Sequence, residues 1–353
     1  MAREGITQAF VTLDHTGFSY ACPSGYRNFN LAPPVVRVHN NHIPDSGPLR
    51  IAKTVGATQF SIHVSAPGGK FAQNVMMIYN ACWGEYDKEV TTPSVNGPIT
   101  NVQVSHSRLV AFTLNRIFIF VYPAPCKQIK SEEIRPNPTG ISAISYDATT
   151  NTCFLAFPGY NQGSVNILDM HSVGARESKS PVSIDAHKSE ITQVALNNLG
   201  TLLATGSKIG TVIRVFDVRS KARLYELRRG TSAAHLKCLA FSPCSSYLGV
   251  ASDKTIHVFG IREAEPANQN VLERNMGMGS LFHIPINREV LAIGFSKQTT
   301  KTLRSVIAIC SDGTYWQYTF EKDTQSSKVH YSLKTYDILQ ENYDTATFIL
   351  TPP

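Results

Sequence analysis

At 353 residues the chain is long enough for two ordinary domains or one large repeat fold with a sizeable core. Hydrophobic residues make up 42% and charged residues 17%, which excludes wholesale disorder and suits a β-rich globular protein. The net charge of +7 favours an acidic partner, whether lipid headgroup, nucleic acid or acidic protein, without choosing among them.

The first residues, Met1-Ala-Arg-Glu-Gly5, carry no apolar run, so no secretory signal is expected. The longest apolar stretch, residues 109–122, is broken by Asn115 and Arg116 and is too short to span a bilayer. A soluble chain is expected, with any membrane contact peripheral. The seven cysteines (Cys22, Cys82, Cys126, Cys153, Cys238, Cys244 and Cys310) are odd in number and contain no Cys-x-x-Cys pair. Several lie in apolar runs, so buried free thiols in a reducing, cytoplasmic compartment are expected.

Self-alignment then gives the architecture. Residues 191–207 match residues 236–252 without a gap, at an offset of 45 residues, the length of a four-stranded propeller blade. Both copies close on Thr, an apolar strand and Phe, at 211–216 and 255–259. Fainter copies lie at 141–168 and 306–318, and no amphipathic helical run of useful length intervenes. Phe216-Asp217 and Leu168-Asp169 stand where such repeats carry Trp-Asp. An all-β, seven-bladed β-propeller of degenerate WD40-like repeats is expected over residues 1–353, with boundaries near 45, 93, 136, 181, 228 and 278. Residues 39–48, 67–74 and 261–285 read as surface loops.

Catalytic signatures are missing. Pro67-Gly-Gly-Lys70 lacks the rest of a phosphate loop, Gly277-Met-Gly279 is too short for a dinucleotide fingerprint, and neither Gly-x-Ser-x-Gly nor His-Glu-x-x-His occurs. His39 and His42 have only Asp45 beside them, so no metal is expected. The chain reads as a non-enzyme without a cofactor.

The binding signal is the run Leu224-Tyr-Glu-Leu-Arg-Arg-Gly230. Successive side chains of a strand leave opposite faces, so Arg228 and Arg229 are placed to serve two anions rather than one. The unit that ends at Arg228 offers His187, Ser207, Lys208, Gly210, Thr211 and Arg214; the next offers Ser252, Lys254, Thr255 and His257, with Thr231 and Ser232 directly after the Arg-Arg-Gly turn. Each set combines hydroxyls, a histidine and a guanidinium, the donors that suit a phosphorylated, polyhydroxylated ring. The plainer reading also stands: His187 as a bond partner inside its blade, the hydroxyls as turn residues, and the arginines as solvated charge.

Leu227-Arg-Arg-Gly230, with residues 204–217 and Leu155-Ala-Phe-Pro-Gly159, resembles the PROPPIN family, seven-bladed propellers that bind phosphoinositides in autophagy. The Leu variant of the motif is similar to one branch of the animal members. The resemblance implies two headgroup sites, one made of His187, Ser207, Lys208, Thr211, Arg214 and Arg228, the other of Arg229, Ser232, Ser252, Thr255 and His257. Ser252-Asp-Lys-Thr255 lacks the glycine that precedes this threonine in most members.

The family also inserts a blade 6 loop into the bilayer. Residues 261–285 hold that place, with Arg262, Arg274, Met276, Met278, Leu281 and Phe282 as candidates, while Leu281 and Phe282 fit the start of the seventh blade's core as well. Animal members dock a lipid-transfer protein of autophagy through the first blades, where Asp14 of Thr12-Leu-Asp14 is retained. The function implied is a monomeric adaptor that reads phosphatidylinositol 3-phosphate, and the 3,5-bisphosphate, on phagophore, autophagosome or endosomal membranes. The alternative is a soluble scaffold for an acidic peptide or nucleic acid. Base stacking needs aromatic residues beside the basic patch, and only Tyr225 is close, so nucleic acid is not expected.

Overall fold

The computed structural model describes residues 5–31, 46–56, 58–145, 147, 152–173, 180–261, 278–296, 303–322 and 329–339. These form seven antiparallel sheets whose strands follow chain order, the blades of an all-β propeller. Two compact units divide them: residues 1–91 with 285–353, and residues 92–284.

In the first unit, blade 1 holds β1 (Gln8–Val11), β2 (Gly17–Cys22) and β3 (Gly25–Asn30). Blade 2 holds β4 (Leu49–Thr54), β5 (Phe60–Ser65), β6 (Val75–Asn80) and β7 (Glu85–Thr91). In the second unit, blade 3 holds β8 (Asn101–Val104), β9 (Arg108–Phe112), β10 (Arg116–Val121) and β11 (Gln128–Glu133). Blade 4 holds β12 (Ala143–Ile144), β13 (Phe154–Pro158), β14 (Ser164–Asp169) and β15 (Val182–Asp185). Blade 5 holds β16 (Ile191–Leu196), β17 (Leu202–Ser207), β18 (Val212–Asp217) and β19 (Arg223–Arg228). Blade 6 holds β20 (Leu236–Phe241), β21 (Tyr247–Ser252), β22 (Thr255–Gly260) and β23 (Phe282–Pro285). Blade 7, in the first unit, holds β24 (Val290–Phe295), β25 (Leu303–Cys310), β26 (Thr314–Lys322) and β27 (Val329–Asp337).

The 45-residue repeat corresponds to blades 5 and 6: β16 and β20 each bulge after their first residue and pair in matching register with β17 and β21. Two expected boundaries fall short. Val182–Asp185 still pairs with β14, so blade 4 ends after 185 rather than at 181. Phe282–Pro285 is the fourth strand of blade 6, which therefore runs past 278. Both are outer strands of only four residues, too short for their apolar–polar alternation to stand apart from a loop. All seven cysteines are free, but only Cys22, Cys153 and Cys310 are buried; Cys82 and Cys244 are exposed, against the expectation for them.

Apolar side chains of neighbouring blades pack against one another in the second unit. Ile213, Leu227, Leu236, Leu248 and Phe259 share one cluster across blades 5 and 6. Ala156, Ile184, Ile191 and Leu203 share another across blades 4 and 5. Gly206 lets Leu236 approach: a Cβ there would lie 2.3 Å from Leu236 Cδ1. Gly210, in the β17–β18 turn, has φ +68°, and a Cβ would lie 2.0 Å from the Ala234 carbonyl oxygen.

Gly210→Ala is therefore expected to destabilise the protein by about 1–3 kcal/mol, through left-handed strain and the clash with backbone. Gly230→Ala, where nothing lies within 4 Å, should stay within about 0.5 kcal/mol of wild type. Equilibrium urea unfolding of the two variants measures both, and equal stabilities would contradict the packing described.

Candidate functional site

β19 is the last strand of blade 5, and its C-terminal end is bonded on both sides. Ile213 and Val212 of β18 pair with Leu227 and Arg228. On the other side Met278 bridges to Leu227 in parallel sense, its N–H donating to Glu226 O (2.8 Å) and its carbonyl accepting from Arg228 N (2.8 Å). One residue later the direction reverses, and Arg229 N donates back to Thr211 O at 2.9 Å. Leu227 is fully buried, whereas Arg228 is exposed. By strand alternation Arg228 shares its face with Glu226, and Glu226 is registered opposite Arg214.

That face carries part of the first predicted set. Arg214 Nε donates to Glu226 Oε2 at 2.9 Å, and its Nη1 donates to Ala186 O at 2.7 Å. Arg223 Nη1 reaches the same Glu226 oxygen at 3.0 Å. Arg214 thus pins the corner that carries His187 to blade 5, and its ion pair with Glu226 was not among the sequence expectations. His187 Nε2 lies 3.2 Å from Thr205 O and 3.0 Å from Thr205 Oγ1. A carbonyl can only accept, so Nε2 carries the proton and Nδ1 is an acceptor in the neutral ring. Burial, then the Arg214 charge, lowers the His187 pKa to about 4. Of the remaining members, Ser207 is buried at the end of β17, Lys208 is exposed, and Thr211 receives the Arg229 amide.

The second set is more tightly connected. Ser252 Oγ donates to Thr255 O at 3.0 Å and lies 3.0 Å from Thr255 Oγ1, which lies 3.1 Å from His257 Nε2. His257 Nδ1 is 3.2 Å from Ser280 Oγ, and its ring stacks on His283 at 5.6 Å. Burial lowers the His257 pKa to about 4, with the Arg229 charge and then His283 adding to the effect. The Arg229 guanidinium itself donates to Gly210 O (2.7 Å) and to Ser232 O. Ser232 therefore contributes its backbone, and its side chain is not shown in the network. The two-residue Asp253-Lys254 turn, neither residue of which has positive φ, explains how blade 6 dispenses with the glycine.

Ser280 and His283 were missed because residues 261–285 read as a loop. Arg262, Arg274 and Met276 lie outside the described residues. Met278, Leu281 and Phe282 do not hang in a loop: Met278 packs on the blade 5–6 cluster, Leu281 N donates to Val258 O at 2.8 Å, and Phe282 opens β23. In the first unit, Asp14 Oδ1 accepts from Thr16 Oγ1 (2.7 Å) and Thr16 N (3.2 Å), so this carboxylate shapes the β1–β2 turn. No helix among the described residues is long and apolar enough to cross a membrane.

The class defined is a WD-repeat-like propeller with a basic, hydroxyl-rich corner where its fifth and sixth blades meet. The PROPPIN family model matches residues 10–288. Over 353 residues the chain is 52% identical to Ectopic P granules protein 6 of Caenorhabditis elegans, covering 98% of this chain and 90% of the relative. It is 30% identical to Autophagy-related protein 18 of Mycosarcoma maydis, over 70% of this chain and 57% of that one. The solved structure of Kluyveromyces lactis Hsv2 superposes with TM-score 0.76 at 19% identity, covering 95% and 99% of the two chains. The chain belongs to the PROPPIN family, the phosphoinositide-binding propellers of autophagy, which are binding proteins and adaptors rather than enzymes.

Both histidines have folded-state pKa values near 4, below the ordinary 6.5 of an unfolded chain. Between these values the unfolded state binds protons that the folded state does not, so stability is full above pH 6.5 and falls as pH drops toward 4. Thermal unfolding across pH 7 to 4.5 should show this loss, and His187→Gln should reduce its slope. A melting temperature independent of pH in this window would contradict the buried, neutral histidines.

Proposed function

We propose that the blade 5–6 corner reads phosphatidylinositol 3-phosphate, and also the 3,5-bisphosphate, through two separate sites. The chain is thereby recruited from the cytoplasm to forming autophagosomes or endosomal membranes as an adaptor. The observation that carries this reading is the reversal at Arg228 and Arg229, whose amides donate to opposite neighbours, Met278 and Thr211. Arg228 is exposed on the Arg214 face, while the charge of Arg229 is felt by His257. The geometry supports one guanidinium for each site. Because both sites belong to one chain, a monomer suffices, and occupation of the first raises the effective concentration for the second.

The donors divide unequally. In the second site the hydroxyls of Thr255 and Ser280 flank the His257 ring and Ser252 joins through Thr255, a polar chain ready to meet ring hydroxyls. In the first, a phosphate would share Arg214 with Glu226, and Arg228 and Lys208 supply the exposed charge. A lipid-transfer protein of autophagy completes the reading as a partner at the first blades, where Asp14 would act through the turn it shapes. Tyr225, the one aromatic residue beside the motif, is buried in the blade 5–6 cluster and cannot stack on bases, which disfavours nucleic acid.

Flotation with vesicles containing phosphatidylinositol 3-phosphate tests the assignment. Each charge-assisted bond is worth roughly 1.5–3 kcal/mol, so Arg228→Ala and Arg229→Ala should each weaken binding about 10-fold or more. The double variant should lose binding. Undiminished flotation of the double variant, with its fold intact by circular dichroism, would refute the reading.

A further inference from the structure

The turn between the second and third strands of each blade lies at the same end as the corner leaving the fourth strand, because the sheets are antiparallel meanders. In blades 4 to 6 hydrogen bonds stitch these turns and corners into one continuous rim. His187 N donates to Gly163 O (2.9 Å), Lys208 N to Glu190 O (2.9 Å), and Ala234 N to Ile209 O (3.2 Å). His235 N then donates to Asp253 Oδ2 (3.2 Å). The Arg229 side chain, on Gly210 O, ties the middle of this rim to the corner between the two predicted sites.

At the centre of the rim stands Ile209, 53% exposed although it is a large apolar residue. Its position is fixed rather than trailing: the amides on both sides of it are bonded, Lys208 N to Glu190 O and Gly210 N to Ser207 O (2.8 Å). Tyr160, 64% exposed, stands on the equivalent β13–β14 turn of blade 4. Exposed Lys188, Lys208 and Lys254 flank the two. Of the carboxylates at this end, Glu190 is paired with Arg135 (3.0 Å) and Asp253 with Lys237 (3.6 Å), and Asp185 is exposed. The rim therefore combines an aliphatic tip, an amphipathic aromatic ring and an excess of lysine, which is the composition that an anionic bilayer interface attracts.

We infer that Ile209, with Tyr160 on the equivalent turn of blade 4, enters the lipid interface, making the blade 5 turn a membrane anchor placed between the two headgroup sites and separate from the blade 6 segment. This inference rests on the phosphoinositide reading above. Its partner is the bilayer surface itself, and it requires no added contact with the inositol ring.

The test uses the full chain carrying Ile209→Trp, with wild type as the background for Trp83 and Trp316. Vesicles of phosphatidylcholine containing a few per cent phosphatidylinositol 3-phosphate should shift the added emission to shorter wavelength, and lipids brominated in the acyl chain should quench it. In parallel, Ile209→Asp should lower flotation about 10-fold, since it removes an apolar anchor and puts a carboxylate against an anionic surface. Its affinity for soluble inositol 1,3-bisphosphate should stay within about two-fold of wild type, because the apolar side chain at this turn tip offers no hydrogen bond to the headgroup. An unmoved emission spectrum, or undiminished flotation of Ile209→Asp, overturns the insertion while leaving the two sites standing. Wild-type protein that ignores both soluble headgroup and vesicles overturns the phosphoinositide reading and this inference with it.

Discussion

The two-sided hydrogen bonding of β19 at its last turn is the constraint on which the rest depends. The strand is gripped by β18 on one flank and by Met278 on the other, and the grip changes partner between Arg228 and Arg229. A strand end held on one side only would leave the two guanidinium groups free to converge. Here Leu227 is committed to the core, so the residues on either side of it must face outward. The same bridge holds Met278 against blade 5 while Leu281 and β23 pair with blade 6, and between them Ser280 and His283 come up to His257. Backbone pairing, rather than any side-chain contact, therefore assembles the second site from two blades.

The electrostatics of the corner follow from burial. Both histidines are held neutral at pH 7, so neither adds to the positive charge that arginine and lysine bring to the sites. Their rings act as hydrogen-bond relays to Thr205 and to the hydroxyls around His257. Glu226 further offsets the first site, sharing one carboxylate oxygen between Arg214 and Arg223. Partly exposed pairs of this kind contribute about 0–1 kcal/mol, which is weak enough for a phosphate to compete.

Much of the architecture was legible because residues 191–207 and 236–252 repeat without a gap and fold into the same bulged pair of strands. The proximity of Ser252, Thr255 and His257 was legible too, since they are close in sequence and Thr255 lies within hydrogen-bond reach of both others. What escaped was long-range pairing. The Arg214–Glu226 ion pair needs the β18–β19 register, and the bond from Met278 to β19 crosses between blades. The outer strands at 182–185 and 282–285 escaped for another reason: Val-Ser-Ile-Asp and Phe-His-Ile-Pro do alternate, but four residues are too few to set them apart from a loop, so both boundaries fall early and Phe282 reads either as loop or as the start of the seventh blade's core.

Gly206 has a consequence for how such a receptor would behave. With Leu236 seated where a Cβ would otherwise stand, the fifth and sixth blades interlock with almost no slack. On the proposed reading, two lipids must be captured at a spacing dictated by protein rather than adjusted by a tether. At low surface density the chance of finding two together grows steeply with abundance, so a stiff junction turns a modest enrichment of the lipid into a sharp threshold for recruitment.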